Sequence, residues 1–132
     1  MNSKLELTYK DADGYNQCDS FVLQGLFTQE QINTIHQILT KNDAEGCFII
    51  AHELELPTPS EKMADEGYPF PTEKDHVFTM IDQFRDCIPT PDDFATEEKE
   101  TVGYYSTVLF VARLEQAAWD IAAEMERLGM EC

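Results

Sequence analysis

Apolar and polar residues alternate through Lys4-Leu5-Glu6-Leu7-Thr8-Tyr9, the period of a strand with one buried face, which turns Leu5, Leu7 and Tyr9 inward. Asp11-Ala12-Asp13-Gly14 follows with turn chemistry, Gly14 being free to take positive φ. A second strand is expected over Asp19–Gln24, with Phe21 and Leu23 on one face, so the pair reads as a hairpin. The period then changes. Ile32, Ile35, Ile38 and Leu39 recur at helical spacing, and Thr28 with Gln31 makes a capping box at the start of that helix. It should end near Lys41-Asn42, with Asn42 as its cap, and His36 lies at the boundary of the apolar stripe.

Cys47–Ile50 is short, apolar and partly β-branched, and predicts a third strand. Val77–Ile81 predicts a fourth, with His76, Phe78 and Met80 on one face and Val77, Thr79 and Ile81 on the other. Residues 57–73 between them are rich in Pro and Gly and read as loop. Pro89 and Pro91 stop regular structure after Arg85, and Thr90-Pro91-Asp92-Asp93 fits a helix start, with acids at the positive end of the dipole. Phe110, Leu114, Ala117, Ala118, Ile121, Met125 and Leu128 share one helical face that Gly129 would close. Tyr104–Phe110 suits a strand by composition and a helix by position, and is expected to be helical. Trp119 falls off the stripe, either to pack beneath the sheet or to mark a partner surface.

The fold class expected is α+β, one domain over residues 1–132: a small antiparallel sheet with one short helix after the first hairpin, within 3–84, and a long C-terminal helical region over 90–129.

Charge narrows the function classes. Twenty-six acids against nine Lys and Arg give a net charge of −17, a field that repels nucleic-acid phosphates and excludes direct nucleic-acid binding as an expectation. Three uses of that charge remain: a solvated surface, an acidic face for a basic protein, or a pocket where a few cations outweigh the general balance. The four cysteines form no Cys-x-x-Cys pair, and there is neither a signal-like start nor an apolar run of about 20 residues. A cytoplasmic protein with reduced thiols and no membrane partner is the expectation.

Catalytic and metal chemistry find little to stand on. His52, His76, Asp75, Cys47 and Glu53 lie near one another in sequence but lack metal-ligand spacing, and a structural hydrogen-bonding role accounts for them. Nothing around Cys47 resembles a nucleophile elbow, and no glycine-rich phosphate loop exists. No catalytic residue, metal or cofactor is therefore assigned. A small hydrolase using a metal or carboxylates, and an interaction module, possible as a homo-oligomer, stand as alternatives. The scarce cations say more. Arg85 follows Phe84, and Arg113 sits in the apolar C-terminal stretch between Ala112 and Leu114; a guanidinium with aromatics nearby can stack on a base and fork onto a phosphate, or else pair with local acids: Asp82 or Asp86 for Arg85, Glu115 or Glu124 for Arg113. With Asp75, His76 and Phe78 they make the candidate ligand site. Asp92, Asp93, Glu97, Glu98 and Glu100 form the densest acidic run. It is either a solvated helix face or, with Trp119, a surface for a basic partner.

The order of a hairpin, a helix opening Leu26-Phe27-Thr28-Gln29-Glu30-Gln31, then Glu45-Gly46-Cys47-Phe48-Ile49-Ile50 with Leu56-Pro57, then Pro71-Thr72-Glu73-Lys74-Asp75-His76-Val77-Phe78 is similar to small phage- and prophage-encoded proteins of unknown or counter-defence role. Their pattern is Glu-Gly-aromatic-Phe-Ile-Pro, Leu-Pro and Pro-Thr-Glu-x-Asp-His-x-aromatic. It covers about residues 4–84, with Ala51 where the pattern has Pro, and leaves out the C-terminal third. The resemblance implies a non-enzymatic inhibitor of a host defence system, working in the host cytoplasm by stoichiometric binding. Its target would be a nucleotide signal, as for Thoeris anti-defence proteins that sequester cyclic ADP-ribose, or a basic host protein, as for anti-CRISPR proteins that block a nucleic-acid channel. No catalytic residue comes with it.

Overall fold

The alternating N-terminal run forms strand β1 (Asn2–Lys10), antiparallel to β2 (Asn16–Leu23). The computed structural model describes residues 1–11, 14, 16–42, 46–61, 76–101 and 103–130. Leu5, Leu7 and Tyr9 are buried, as the period-2 pattern requires, while Lys4, Glu6, Thr8 and Lys10 on the other face are half-buried or exposed. Gly14 closes the hairpin at φ +88°, donating its N–H to Asp11 O; Ala12 and Asp13 of the expected turn lie outside the described residues. β2 starts earlier than its apolar pattern suggested, because the ladder with β1 continues in register to Lys10↔Asn16.

Helix α1 (Gln29–Asn42) begins on the expected capping box: Gln31 N–H donates to Thr28 Oγ1 at 3.1 Å, and Thr28 N–H to Gln31 Oε1 at 2.9 Å. Ile32, Ile35 and Leu39 are fully buried, each stabilising the fold by about 1.5–3 kcal/mol. Ser3, itself buried, ties this helix entry to β1. Its Oγ donates to Gly25 O and accepts Phe27 N–H.

Strands β3 (Phe48–Ile49), β4 (Thr79–Ile81) and β5 (Ala95–Thr96) complete an antiparallel sheet of order β2-β1-β4-β3, with β5 pairing the start of β1. The two expected strands Cys47–Ile50 and Val77–Ile81 are thus shortened to their paired centres. Their alternation holds: Val77, Thr79 and Ile81 are buried, whereas His76, Phe78 and Met80 are only partly so. Of the expected loop 57–73, residues 62–73 lie outside the described residues.

Where β4 leaves β1 and before β5 joins it, a side chain replaces a strand. Glu6 N–H donates to Gln83 Oε1 at 3.1 Å, and Gln83 Nε2 donates to Lys4 O at 2.8 Å. Gln83→Leu should leave both backbone groups unmet and cost about 1–3 kcal/mol. Urea denaturation checks this, with faster amide exchange at Glu6; unchanged stability would contradict it.

The C-terminal part departs from expectation twice. Residues 92–100 do not form an α-helix. Thr90 and Asp93 form a capping box, but Pro91–Asp93 makes one turn of 3-10 helix, Phe94 enters the core, and Ala95–Thr96 pairs with Asn2 and Ser3. Backbone pairing with β1 outweighs the helical signal there. The long helix is also broken, into α2 (Thr107–Gln116) and α3 (Ile121–Leu128). Ser106 Oγ caps α2, so Tyr104 and Tyr105 precede the helix expected to include them. The break follows from Glu53, at the end of a 3-10 turn over Ala51–Leu54. Its carboxylate accepts the N–H groups of Ala118, Trp119 and Asp120 at 3.0, 3.1 and 2.7 Å. Trp119 takes φ +51° to present them, and Asp120 caps the next helix through Ala123 N–H. A charged acceptor thus replaces the intrahelical carbonyls.

The main core joins Leu5 and Leu7 of β1 to Ile32, Ile35 and Leu39 of α1 and to Phe110 and Leu114 of α2. A smaller cluster seats Leu128 of α3 on Ile50 and Val77. Among the described residues, no helix is long and apolar enough to cross a membrane.

Candidate functional site

Register assembles the site. Thr8 stands opposite Met80 in the β1–β4 ladder, and Met80 opposite Phe48 in the β4–β3 ladder, which places all three on the sheet face away from Leu7 and Ile81. Phe78 lies two residues before Met80, and its ring meets Phe48 edge-on at 6.3 Å between centroids. These four side chains line a cleft of about 660 Å3, with Lys10, Asp11, His76, Arg85 and Asp86 also in its wall. The volume lies within the range of small-molecule sites, roughly 300–1,000 Å3.

His76 lines the cleft, but its polar atoms are already committed. Nε2 donates to Lys10 O at 2.7 Å, Nδ1 accepts Phe78 N–H at 3.1 Å, and its backbone N–H reaches Tyr9 Oη at 3.1 Å. The two ring contacts define the neutral Nε2–H tautomer. His76 therefore ties the end of β1 to the entry of β4 and holds Phe78 in place. Thr8 is similarly occupied, its Oγ1 donating to Asp82 Oδ2 at 2.9 Å.

The cations differ. Lys10 and Arg85 are exposed, and among the described residues neither makes an ion pair. The expected pairing of Arg85 with Asp82 or Asp86 is not formed, although Asp86 shares the cleft wall. Two cations without ion-pair partners among the described residues, beside two phenyl rings, stand out in a chain of net charge −17.

Of the residues singled out from the sequence, His76, Phe78 and Arg85 come together here; Asp75 lies outside the described residues. Arg113 does not join them. It pairs with Glu55 at 2.6 Å rather than with Glu115 or Glu124, and its guanidinium lies 4.8 Å from the Tyr105 ring centroid. Tyr105 is buried, donates its hydroxyl to Leu54 O, and is pushed by that burial up to about 12 despite the nearby cation. Because the folded pKa exceeds the ordinary value of 10.0, the proton is held more tightly in the native state. Its contribution is complete below about pH 10 and lost as pH rises towards 12, worth up to about 2 kcal/mol. Alkaline denaturation should show that loss in the native protein and a shallower slope in Tyr105→Phe; equal slopes would contradict it.

The acidic run is exposed but partly employed by the fold. Asp93 accepts Thr90 N–H at 2.7 Å and Glu98 pairs with Lys4 at 3.1 Å, while Asp92, Glu97 and Glu100 are exposed. Trp119 is half-buried and packs against both core clusters. A second depression, about 270 Å3 between α1 and α2, is lined by Gln31, Val108, Val111, Ala112, Glu115 and Gln116, without a cation or an aromatic ring. Among the described residues, no group of three or more His, Cys, Asp or Glu side chains could hold a metal ion. Sequence reasoning missed Thr8, Lys10, Asp11, Phe48, Met80 and Asp86 as lining residues. Lys10 was legible as an outward position of β1, but its approach to Arg85 depends on which strand pairs with β1. No protein-family model, curated protein or solved structure matches the chain.

Proposed function

We propose that the protein is a non-enzymatic binder that captures a small nucleotide-type signal in the sheet cleft, one ligand per chain, as a phage-type inhibitor of a host defence system would. The observation that carries this reading is the juxtaposition of Lys10 and Arg85, free of ion pairs among the described residues, with the Phe48–Phe78 ring pair. An aromatic face and a guanidinium are the groups that hold a base and a phosphate. Capture rather than turnover is supported by the committed state of His76 and Thr8. The imidazole and the hydroxyl of the cleft wall are already bonded within the protein.

Protein expressed in a defence-active host, denatured and extracted, should release about one equivalent of a nucleobase-absorbing phosphorylated compound per chain. Mass spectrometry should find the same compound unchanged after prolonged incubation with fresh protein. Conversion of that compound, or an extract free of any such compound together with no thermal shift across nucleotides, would contradict the proposal.

A further inference from the structure

We infer that Ala117–Asp120 is a joint with two arrangements: the broken one of this structure, latched by Glu53, and a joined one in which α2 and α3 run as a single helix. Three observations carry this. The chain from Thr107 to Leu128 holds neither Pro nor Gly, and Ala117 and Ala118 in its middle are the best of helix formers. The break also leaves the apolar stripe incomplete. Ile121 is 45% exposed, although it repeats at helical spacing with Phe110, Leu114 and Ala117. Trp119, finally, takes φ +51°, a left-handed conformation that a bulky side chain disfavours.

The two arrangements exchange backbone bonds one for one. In the broken form the Glu53 carboxylate accepts the N–H groups of Ala118, Trp119 and Asp120. In the joined form the same groups donate to the carbonyls of Leu114, Glu115 and Gln116, their partners four residues back in an α-helix. Charge decides between the two sets, because a bond to an ionised acceptor is roughly twice as strong as a neutral one. The broken form also seats α3: Leu128 lies on Ile50 and Val77, and Arg127 reaches Glu61 and Thr58. Joining straightens the chain at Trp119 and lifts Leu128 from that seat. Phe78 packs against the same small cluster, so the latch also supports one ring of the cleft.

Glu53→Ala and Glu53→Gln, studied in the full chain by nuclear magnetic resonance, circular dichroism and fluorescence, test this. Carbon shifts of Ala117–Asp120 should turn helical, and the far-ultraviolet signal should gain the equivalent of about four helical residues. Trp119, the single tryptophan, should leave both core clusters, so its emission should move to longer wavelength and become open to iodide quenching. Contacts between the Leu128 and Val77 methyl groups should vanish. Glu55→Gln is the control: Glu55 lies near the end of the same 3-10 turn but pairs with Arg113, and its loss should leave the break in place. Unchanged shifts at Ala117–Asp120 with unchanged Trp119 emission would overturn the inference. So would loss of helical shifts over Ile121–Leu128, which would make Glu53 a support for α3 rather than a latch against joining. Joining in Glu55→Gln as well would show a response to lost acidic charge in general, and a Glu53→Gln protein without a cooperative melt would show that the fold itself needs the carboxylate; either result would also overturn it.

Discussion

Arg127→Ala should destabilise the protein by about 3 kcal/mol, the low end of what breaking a buried ion pair costs. Glu124 is 4% exposed, and Arg127 meets it twice, through Nε at 2.5 Å and Nη2 at 2.9 Å. Those bonds hold the guanidinium above its ordinary pKa. The same arginine reaches Glu61 at 2.8 Å and Thr58 at 3.4 Å, so it fastens α3 to the chain beyond the Ala51–Leu54 turn. Its guanidinium is partly exposed, which is why the low end applies. Urea denaturation measures the loss. The double change Glu124→Leu with Arg127→Met should recover most of it, because no charge is then left buried alone. A single variant as stable as the native protein would show that the pair is solvated.

Phe27→Ala should cost about 3–5 kcal/mol through the cavity it leaves. Phe27 is 1% exposed and meets Phe94 at 5.0 Å and Phe110 at 6.0 Å, both edge-on. It therefore joins the entry of α1 to the β5 approach and to α2. Phe27→Leu keeps most of the volume and should lose less than half as much. A loss below about 1 kcal/mol in the alanine variant would mean that the surrounding rings close over the gap.

Half of this architecture is written locally. The alternation through Leu5, Leu7 and Tyr9, the Thr28–Gln31 box and the stripe of Ile32, Ile35 and Leu39 each need only neighbouring residues, and each forms as its pattern demands. The misplaced parts all depend on distant partners. Periodicity runs unbroken through Ala117 and Ala118 because nothing nearby shows that Glu53 will take three successive N–H groups from that stretch. The acidic run starts like a helix, and is drawn into extended structure by its pairing with Asn2 and Ser3. The cleft divides in the same way. Alternation alone puts His76, Phe78 and Met80 on one face, while Lys10 and Phe48 join them only through the β1–β4 and β4–β3 registers. Arg113 illustrates the reverse, an arginine among aromatics whose charge is taken by Glu55, a residue outside the sequence neighbourhood from which its partners were expected.

Capture of a nucleotide-type ligand on the open side of the sheet is tested most directly by nuclear magnetic resonance of isotope-labelled protein titrated with adenosine monophosphate. The account predicts saturable shifts confined to the cleft: the Met80 methyl group, the Phe48 and Phe78 rings, and the amides around Lys10 and Arg85. Signals from Arg113, from Val108 and Ala112 on α2, and from Glu97 and Glu100 should stay in place. Shifts centred on any of those residues, or none at millimolar nucleotide, would contradict it.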